Sequence, residues 1–160
     1  MPRGGISFEG GLDASDLRVA VIVARFNTHV TSRLLEGCIE ELASHGLERR
    51  KVQQIEVPGC FELPLAAKQL AVNRRFDAII CLGAIIRGGT PHFEYVSSAT
   101  AQGLQQAALD TGVPMVFGVL TTDTEEQAME RAGGGEGDKG REAALTAIEM
   151  AHTMREMRAE

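Results

Sequence analysis

Aromatic residues make up only 4% of the chain, and tryptophan is absent. Any phenylalanine at the end of a predicted strand is therefore a candidate for ligand contact. Basic residues are in the minority, since 16 lysines and arginines against 22 acidic residues give a net charge of −6. Nucleic-acid-binding domains are typically basic, so this balance argues against that class. The longest apolar run, residues 78–86, is far shorter than the ~20 residues of a membrane-spanning helix.

The few cysteines are spaced unlike those of cysteine-rich frameworks. Cys38, Cys60 and Cys81 are odd in number, lie about twenty residues apart and form no CxxC pair. This pattern argues against both a disulfide framework and a zinc site. We expect three small core side chains in a reducing cytoplasm. The first twenty residues carry acidic side chains and no apolar stretch followed by a cleavage site, so no signal peptide is expected.

Length and composition indicate one globular domain. The 160 residues fall within the ~100–200 of a typical domain, and 44% of them are hydrophobic. We therefore expect a single domain over residues 1–160. Residues 1–17 are mixed and glycine-rich, and we expect an N-terminal arm with an edge strand at 6–8 that can pair with a neighbouring subunit.

Apolar runs alternate with helical patterns along the rest of the chain. The predicted strands are 19–24, 52–57, 77–82 with a continuation to 86, and 113–119. The predicted helices are 31–44 with Thr31 or Ser32 as its cap, 63–73, 94–111, a short helix from Thr124 to 132, and 139–158, with a glycine-rich loop at 133–137. Unbroken apolar strands are typical of parallel sheets. The alternation predicts a flavodoxin-like three-layer αβα sandwich with a four-stranded parallel sheet.

Ligands of open α/β sheets bind at the carboxyl ends of the strands. After the third strand the chain reads Gly88-Gly89-Thr90, in which the glycines let backbone N–H groups face an anion and Thr90 adds a hydroxyl donor. This suits phosphate, although a plain tight turn into the next helix is an equally simple interpretation. The chain contains neither a Walker A loop nor a GxGxxG motif.

Several side chains near these ends could carry chemistry. His92 follows the glycine pair, and a histidine beside an anion site is a candidate proton carrier. Arg131 suits bidentate contact with phosphate. Lys139 and Glu142, three residues apart, can pair on the first turn of the last helix. Each of these residues could instead be structural or solvated.

Two phenylalanines and one glutamate complete the candidate set. Phe26 and Phe117 belong to the carboxyl ends of the first and fourth strands, where each could stack on a flat heterocycle or fill the core. Glu62 follows the Pro58-Gly59 turn and could accept hydrogen bonds from a polyol. As a carboxylate in the first turn of a helix, it could equally serve the helix dipole.

Taken together, these segments resemble the 6,7-dimethyl-8-ribityllumazine synthase family of riboflavin biosynthesis. The resemblance runs from about Phe8 to Glu149, nearly the whole chain. It is carried by residues 23–27, 57–64, 82–96, 117–124, 126–128, 131–133, 139–140 and 142–144. The most diagnostic of these segments is 82–96, which contains the glycine pair and His92.

The resemblance implies a transferase that condenses 5-amino-6-(D-ribitylamino)uracil with 3,4-dihydroxy-2-butanone 4-phosphate, without metal or organic cofactor. His92 would transfer protons, with Arg131 stabilising the departing phosphate and Lys139 and Glu142 in support. The implied contacts to the ribitylaminouracil are Phe26, Cys60, Phe61, Glu62, the backbone of Ala84, Ile85 and Ile86, and Phe117 from a neighbouring subunit. Those to the butanone phosphate are Gly89, Thr90 and Arg131.

The family forms pentamers, and in some members twelve pentamers close into an icosahedral shell, at times associated with riboflavin synthase. Because the loop after Gly133 carries no obvious insertion, we expect the 60-subunit shell. That loop departs from the family at 134–138, with two acidic residues and no basic one, and Arg141 stands where an aromatic residue is common. These departures bear on substrate affinity and assembly rather than on the catalytic residues.

Two other functions are compatible with the same fold. The chain could be a non-catalytic carrier of flavin or lumazine, or a protein whose main role is to form a shell. Neither role requires the phosphate loop, His92 and Arg131, so their presence favours the enzyme.

Overall fold

The computed structural model describes residues 10–73 and 76–159, so the predicted strand at 6–8 lies outside the described residues. Within them, four strands form a parallel sheet of order β2-β1-β3-β4. They are β1 Val19–Ala24, β2 Gln53–Val57, β3 Ala78–Ile86 and β4 Met115–Thr122. The α-helices are α1 Thr28–Ser44, α2 Leu63–Val72, α3 His92–Thr111, α4 Glu125–Arg131 and α5 Lys139–Ala159. No helix in this part of the chain is long and apolar enough to cross a membrane.

The sheet separates two hydrophobic clusters, which confirms the three-layer αβα prediction. In β1 all six residues are buried, and they alternate between the two faces because successive side chains of a strand point to opposite sides. Val19, Val21 and Val23 pack with residues of α1 and α5. Ala20, Ile22 and Ala24 pack with residues of α2 and α3. The continuous apolar run is therefore the consequence of helices on both faces.

The first helix begins three residues earlier than predicted, and the proposed caps are wrong. Its N-cap is Asn27, a non-glycine residue with positive φ (65°) among those described. Asparagine tolerates the left-handed conformation better than most side chains. Its Nδ2 donates a hydrogen bond of 2.8 Å to the Ala84 carbonyl, so the turn is held by β3. Thr31 lies inside the helix and is buried.

The other differences lie at element ends. β4 continues to Thr122 rather than 119, because β3 runs to Ile86 and pairs with it in register. The predicted loop at 133–137 contains a small antiparallel hairpin, with β5 at Ala132–Gly134 and β6 at Gly137–Asp138. Gly133 and Gly137 adopt positive φ values there, which glycine accepts without steric cost.

Helices α1 and α5 pack closely through a glycine. A Cβ atom added at Gly140 would overlap the Leu34 carbonyl oxygen of α1, which is backbone and cannot rotate away. On the next residue, Arg141 pairs with Glu40 and with Glu41, and its Nη1 lies 3.1 Å from the Glu41 carboxylate. Arg141 thus ties α5 to α1.

We predict that Gly140→Ala destabilises the fold, because α5 must move away from α1 to admit the methyl group. The free energy of unfolding should fall by about 1–3 kcal/mol, the usual cost of overpacking. Gly135→Ala is the matched control, since nothing lies within 4 Å of a Cβ atom there. Urea unfolding of both variants beside the parent chain measures the difference. Equal midpoints for all three proteins would contradict the packing argument.

The three cysteines are free and buried, which confirms that their side chains belong to the core. Burial raises the pKa of each thiol to about 12, because the charged thiolate would lose its hydration. The thiols therefore stay protonated and unreactive in the folded chain throughout the neutral range.

Native protein at pH 8 should consequently resist iodoacetamide, whereas unfolded protein should be alkylated at all three positions. Intact-mass spectrometry counts the adducts directly. Alkylation of Cys60 in the native protein would contradict its assignment as a buried neutral thiol, since that residue is 6% exposed.

Candidate active site

A cavity of about 810 Å³ opens at the carboxyl ends of β1, β2 and β3. Nine of the residues predicted from the sequence line it. They are Phe26, Cys60, Phe61, Glu62, Ala84, Ile85, Ile86, Thr90 and His92. Ala84, Ile85 and Ile86 end β3 and His92 begins α3, whereas the others belong to the segments that follow three adjacent parallel strands. This is the edge at which ligands of open α/β sheets bind.

Phe26 is held at the mouth of this cavity by backbone hydrogen bonds. Its N–H donates to the Pro58 carbonyl at 3.0 Å, and the preceding Arg25 N–H donates to Val57 at 2.8 Å. The chain after β1 thus continues along β2 before α1 begins. Phe26 is 72% exposed, which excludes the alternative of a core side chain.

Exposed aromatic rings surround the cavity in a chain that has few of them. Phe61 is 65% exposed and Tyr95 is 74% exposed. Large apolar side chains that face solvent around one cavity typically mark a binding surface. A flat heterocycle could stack on these rings.

The second loop combines a buried thiol with an accessible carboxylate. Cys60 packs against Gly83 of β3, where any added Cβ atom would overlap its sulfur. Thr100 of α3 donates a hydrogen bond of 3.3 Å to the Cys60 carbonyl. These contacts fix the loop, so that Glu62 lies half-buried at the cavity wall, where its carboxylate can accept hydrogen bonds.

The third loop, residues 88–92, is exposed along its whole length. A Cβ atom added at Gly88 or Gly89 would meet nothing within 4 Å. Among the described residues, the side chains of Thr90 and His92 have no hydrogen-bond partner. The loop therefore presents backbone N–H groups, a hydroxyl and an imidazole to the cavity or to solvent. Gly89 itself lies between two lining residues without lining the cavity.

Four predicted residues lie elsewhere in the chain. Phe117 of β4 lines a second cavity of about 660 Å³ together with Lys139 and Glu142, and this cavity shares no residue with the first. Arg131 ends α4 and lines neither of these cavities; its Nη1 donates to the Gln127 carbonyl at 3.1 Å. The ion pairs found in the described residues do not include Lys139 with Glu142, so that predicted pairing is wrong.

Sequence reasoning missed lining residues on two elements. Asn27 lines the cavity and also caps α1, a position that depends on its contact with Ala84. Tyr95 and Val96 line it from the first turns of α3. They could have been found by helical spacing, since residues three and four positions after His92 share its face of the helix.

Comparison with known proteins identifies the family of the chain. The model of the family described as 6,7-dimethyl-8-ribityllumazine synthase matches residues 16–155. A relative from Syntrophus aciditrophicus (strain SB), named 6,7-dimethyl-8-ribityllumazine synthase, is 56% identical over 149 residues, which cover 93% of this chain and 97% of the relative. The chain belongs to the 6,7-dimethyl-8-ribityllumazine synthase family.

Proposed function

We propose that the chain is a transferase of riboflavin biosynthesis that condenses 5-amino-6-(D-ribitylamino)uracil with 3,4-dihydroxy-2-butanone 4-phosphate. The products are 6,7-dimethyl-8-ribityllumazine, phosphate and water. The observation that carries the proposal is one cavity that combines exposed aromatic rings, a carboxylate, a glycine-rich loop and a histidine, in a chain of this family. Family membership supports the reaction.

The ribitylaminouracil fits the aromatic side of the cavity. Phe26 stacks on the pyrimidine, and the backbone of Ala84, Ile85 and Ile86 pairs with its polar edge. Glu62 accepts hydrogen bonds from the ribityl hydroxyls, beside Cys60 and Phe61. Stacking and hydrogen bonding together orient the reacting amine.

The butanone phosphate fits the loop at 88–92. Backbone N–H groups of the glycine pair and the Thr90 hydroxyl hydrogen-bond the phosphate. The guanidinium of Arg131 adds bidentate contact and stabilises the charge that develops as phosphate leaves.

His92 carries the proton transfers. The uracil amine attacks the ketone and, with loss of water, forms an imine, from which His92 removes a proton as phosphate departs. The enol that remains tautomerises to a ketone, and attack of the ribitylamino nitrogen on this carbonyl with loss of a second water closes the ring. The reactants contain most of this reactivity themselves, so holding them together supplies a large share of the rate.

We further propose that each site is completed by a neighbouring copy of the chain. Phe117, Lys139 and Glu142 lie around the second cavity, beside β4, which is an edge strand of the sheet. A second copy that brings this face to the first cavity would add Phe117 to the pyrimidine pocket, and we propose that Arg131 of the same copy, which lines neither cavity, reaches the phosphate. The assembly we propose is a pentamer, twelve of which form a 60-subunit shell.

The cytoplasm is the compartment we propose. All three cysteines are free thiols, as is usual where glutathione keeps proteins reduced. Association of the shell with riboflavin synthase is a further proposal, which co-purification from cell extract can test.

The reaction is tested by mixing purified protein with both substrates and following lumazine fluorescence together with phosphate release. Equal, protein-dependent formation of both products supports the proposed function. Folded protein of at least pentameric size that gives no acceleration over background would contradict it and favour a carrier or a shell protein.

His92→Ala should slow turnover without abolishing it, because positioning of the reactants is retained. We expect kcat to fall about 10²-fold, the lower part of the range for general acid–base catalysis. His152→Ala is the control, since that imidazole contacts the Asp13 carbonyl and does not line the cavity. Complete loss of activity in folded, assembled His92→Ala would contradict the assignment.

Subunit mixing tests the shared site. Phe26→Asp disables the pocket side of a site and Arg131→Glu disables the side that we assign to the neighbour, so each variant alone should be nearly inactive. After unfolding and refolding together in equal amounts, about a quarter of the sites should combine two intact halves, as expected for head-to-tail contacts in a ring.

Activity near that fraction of the parent value supports the shared site. Mixed oligomers that are no more active than the separate variants would contradict it. Light scattering on the same samples gives the assembly size, and pentamers alone under all conditions of buffer and pH would exclude the shell.

A further inference from the structure

Arg87, the residue that follows β3, makes contacts on three sides. Its Nε donates to the Asp123 carboxylate at 2.7 Å, and its Nη1 donates to Glu94. Its guanidinium carbon lies 4.4 Å from the centre of the Phe93 ring. Its backbone N–H donates to the Thr122 carbonyl at 2.8 Å, which extends the pairing between β3 and β4 by one residue.

These contacts join the two ends of the loop at 88–92. Arg87 precedes the loop, whereas Phe93 and Glu94 follow it on the first turn of α3. Asp123 adds a fixed point outside the loop, in the connection between β4 and α4. The guanidinium therefore bridges the two ends of the segment at 88–92.

The loop has few other constraints within the described residues. Space around Gly88 and Gly89 is open, and the side chains of Thr90 and His92 make no hydrogen bond there. A backbone hydrogen bond from Glu94 to the Pro91 carbonyl belongs to the start of α3. Phe93, which follows the loop, packs against the hydrophobic cluster on the α2 and α3 side of the sheet. The Arg87 contacts add a polar restraint across the exposed residues between them, and loops with few packing contacts open at little cost in free energy.

The charge of Arg87 is already compensated. The hydrogen bond to Asp123 and then that to Glu94 raise the pKa of Arg87, and the hydrogen bond from Arg87 lowers the pKa of Glu94. One guanidinium between two carboxylates leaves a local charge of −1, which does not attract a phosphate dianion. Arg131 differs, since its nearest carboxylate, Glu130, lies 3.9 Å away.

We propose that Arg87 is a positioning residue: by bridging Asp123, Glu94 and the Phe93 ring, it fixes the loop that presents Gly88, Gly89, Thr90 and His92, and it does not itself bind phosphate. The proposal rests on the proposed function for its kinetic consequences only. The restraint on the loop is a property of the free protein.

The fork of the guanidinium is essential to this role. Lysine keeps the charge but offers a single point donor, so it cannot bridge two carboxylates and stack on a ring in a fixed geometry. Arg87→Lys should therefore release the loop without changing the charge beside the site.

Arg155 offers a matched control. It also bridges two carboxylates, Asp16 at 3.1 Å and Asp77 at 3.0 Å, and it lies on α5 outside the candidate site. Arg155→Lys thus removes a guanidinium that also bridges two carboxylates, but away from the candidate site. Thermal unfolding of both variants shows whether their losses of stability are similar.

The first measurement is hydrogen–deuterium exchange of the free protein, read on peptides that span residues 87–96. We expect faster exchange there in Arg87→Lys and unchanged exchange in Arg155→Lys. Equal exchange in Arg87→Lys and the parent chain would overturn the proposal. Hydrogen–deuterium exchange does not depend on the reaction. Failure of the proposed function would instead appear as a parent chain without activity, so the two failures can be distinguished.

The second measurement is steady-state kinetics with each substrate varied. For Arg87→Lys we expect kcat to fall about 10-fold or more, as for a small misplacement of catalytic groups. The KM for the ribitylaminouracil should stay unchanged, because Phe26 and Glu62 lie on other loops. Arg155→Lys should retain the parent kcat, and a parent-like kcat in Arg87→Lys as well would overturn the proposal.

Asp123→Asn separates positioning from direct binding. If Arg87 positions the loop, losing its partner lowers kcat, as Arg87→Lys does. If Arg87 binds phosphate, removing a competing carboxylate frees it, and the KM for the butanone phosphate falls while kcat is kept. The second outcome would overturn the proposal.

Discussion

Hydrogen bonding at the carboxyl end of β3 is the constraint on which the site depends. β3 pairs with β1 on one side and with β4 on the other, and its pairing with β4 continues to Ile86 and Thr122. The Ala84 carbonyl accepts a hydrogen bond from the Asn27 side chain, and Gly83 leaves room for the Cys60 sulfur. One strand thus fixes the loops that follow β1 and β2 as well as its own.

That arrangement explains why small residues occupy the middle of β3. A side chain at Gly83 would displace Cys60, and with it the turn that carries Phe61 and Glu62. A displaced turn would also move Phe26, because the Phe26 N–H donates a hydrogen bond to the Pro58 carbonyl of the same turn. The shape of the cavity that we propose for the heterocycle is therefore a consequence of close backbone packing rather than of contacts among the exposed rings.

The sheet and the cavity at its carboxyl edge were predictable because both follow from local rules. Unbroken apolar runs predict buried parallel strands, and the carboxyl ends of such strands meet at one edge. The start of α1 was not predictable, since the conformation of Asn27 depends on an acceptor in β3, 57 residues away. The place of Tyr95 at the cavity follows from the start of α3 at His92, which is two residues before the predicted start of that helix.

Phe117 and Arg131 mark the limit of what a single chain can determine. Phe117 was predicted at the carboxyl end of the fourth strand but is the third residue of β4, and Arg131 ends α4. Neither residue lines the first cavity. No rule of periodicity or capping relates the two sides of a contact between copies, because such a contact depends on surface complementarity across molecules. The second cavity lies beside the edge strand β4, and it is the face that we propose a neighbouring copy brings to the first cavity.

The charges around the loop at 88–92 favour the division of the site between copies that we propose. Within one chain, Arg87 pairs with two carboxylates, which neutralise its charge. The loop that contains the glycine pair therefore has a defined shape but no net positive charge beside it. A phosphate dianion would be drawn to it weakly in a separate subunit. If Arg131 arrives from a neighbour, the positive charge is added when the assembly forms, to a loop whose shape is already set. Rigidity and charge then come from different elements, and the fully equipped site exists where two copies meet.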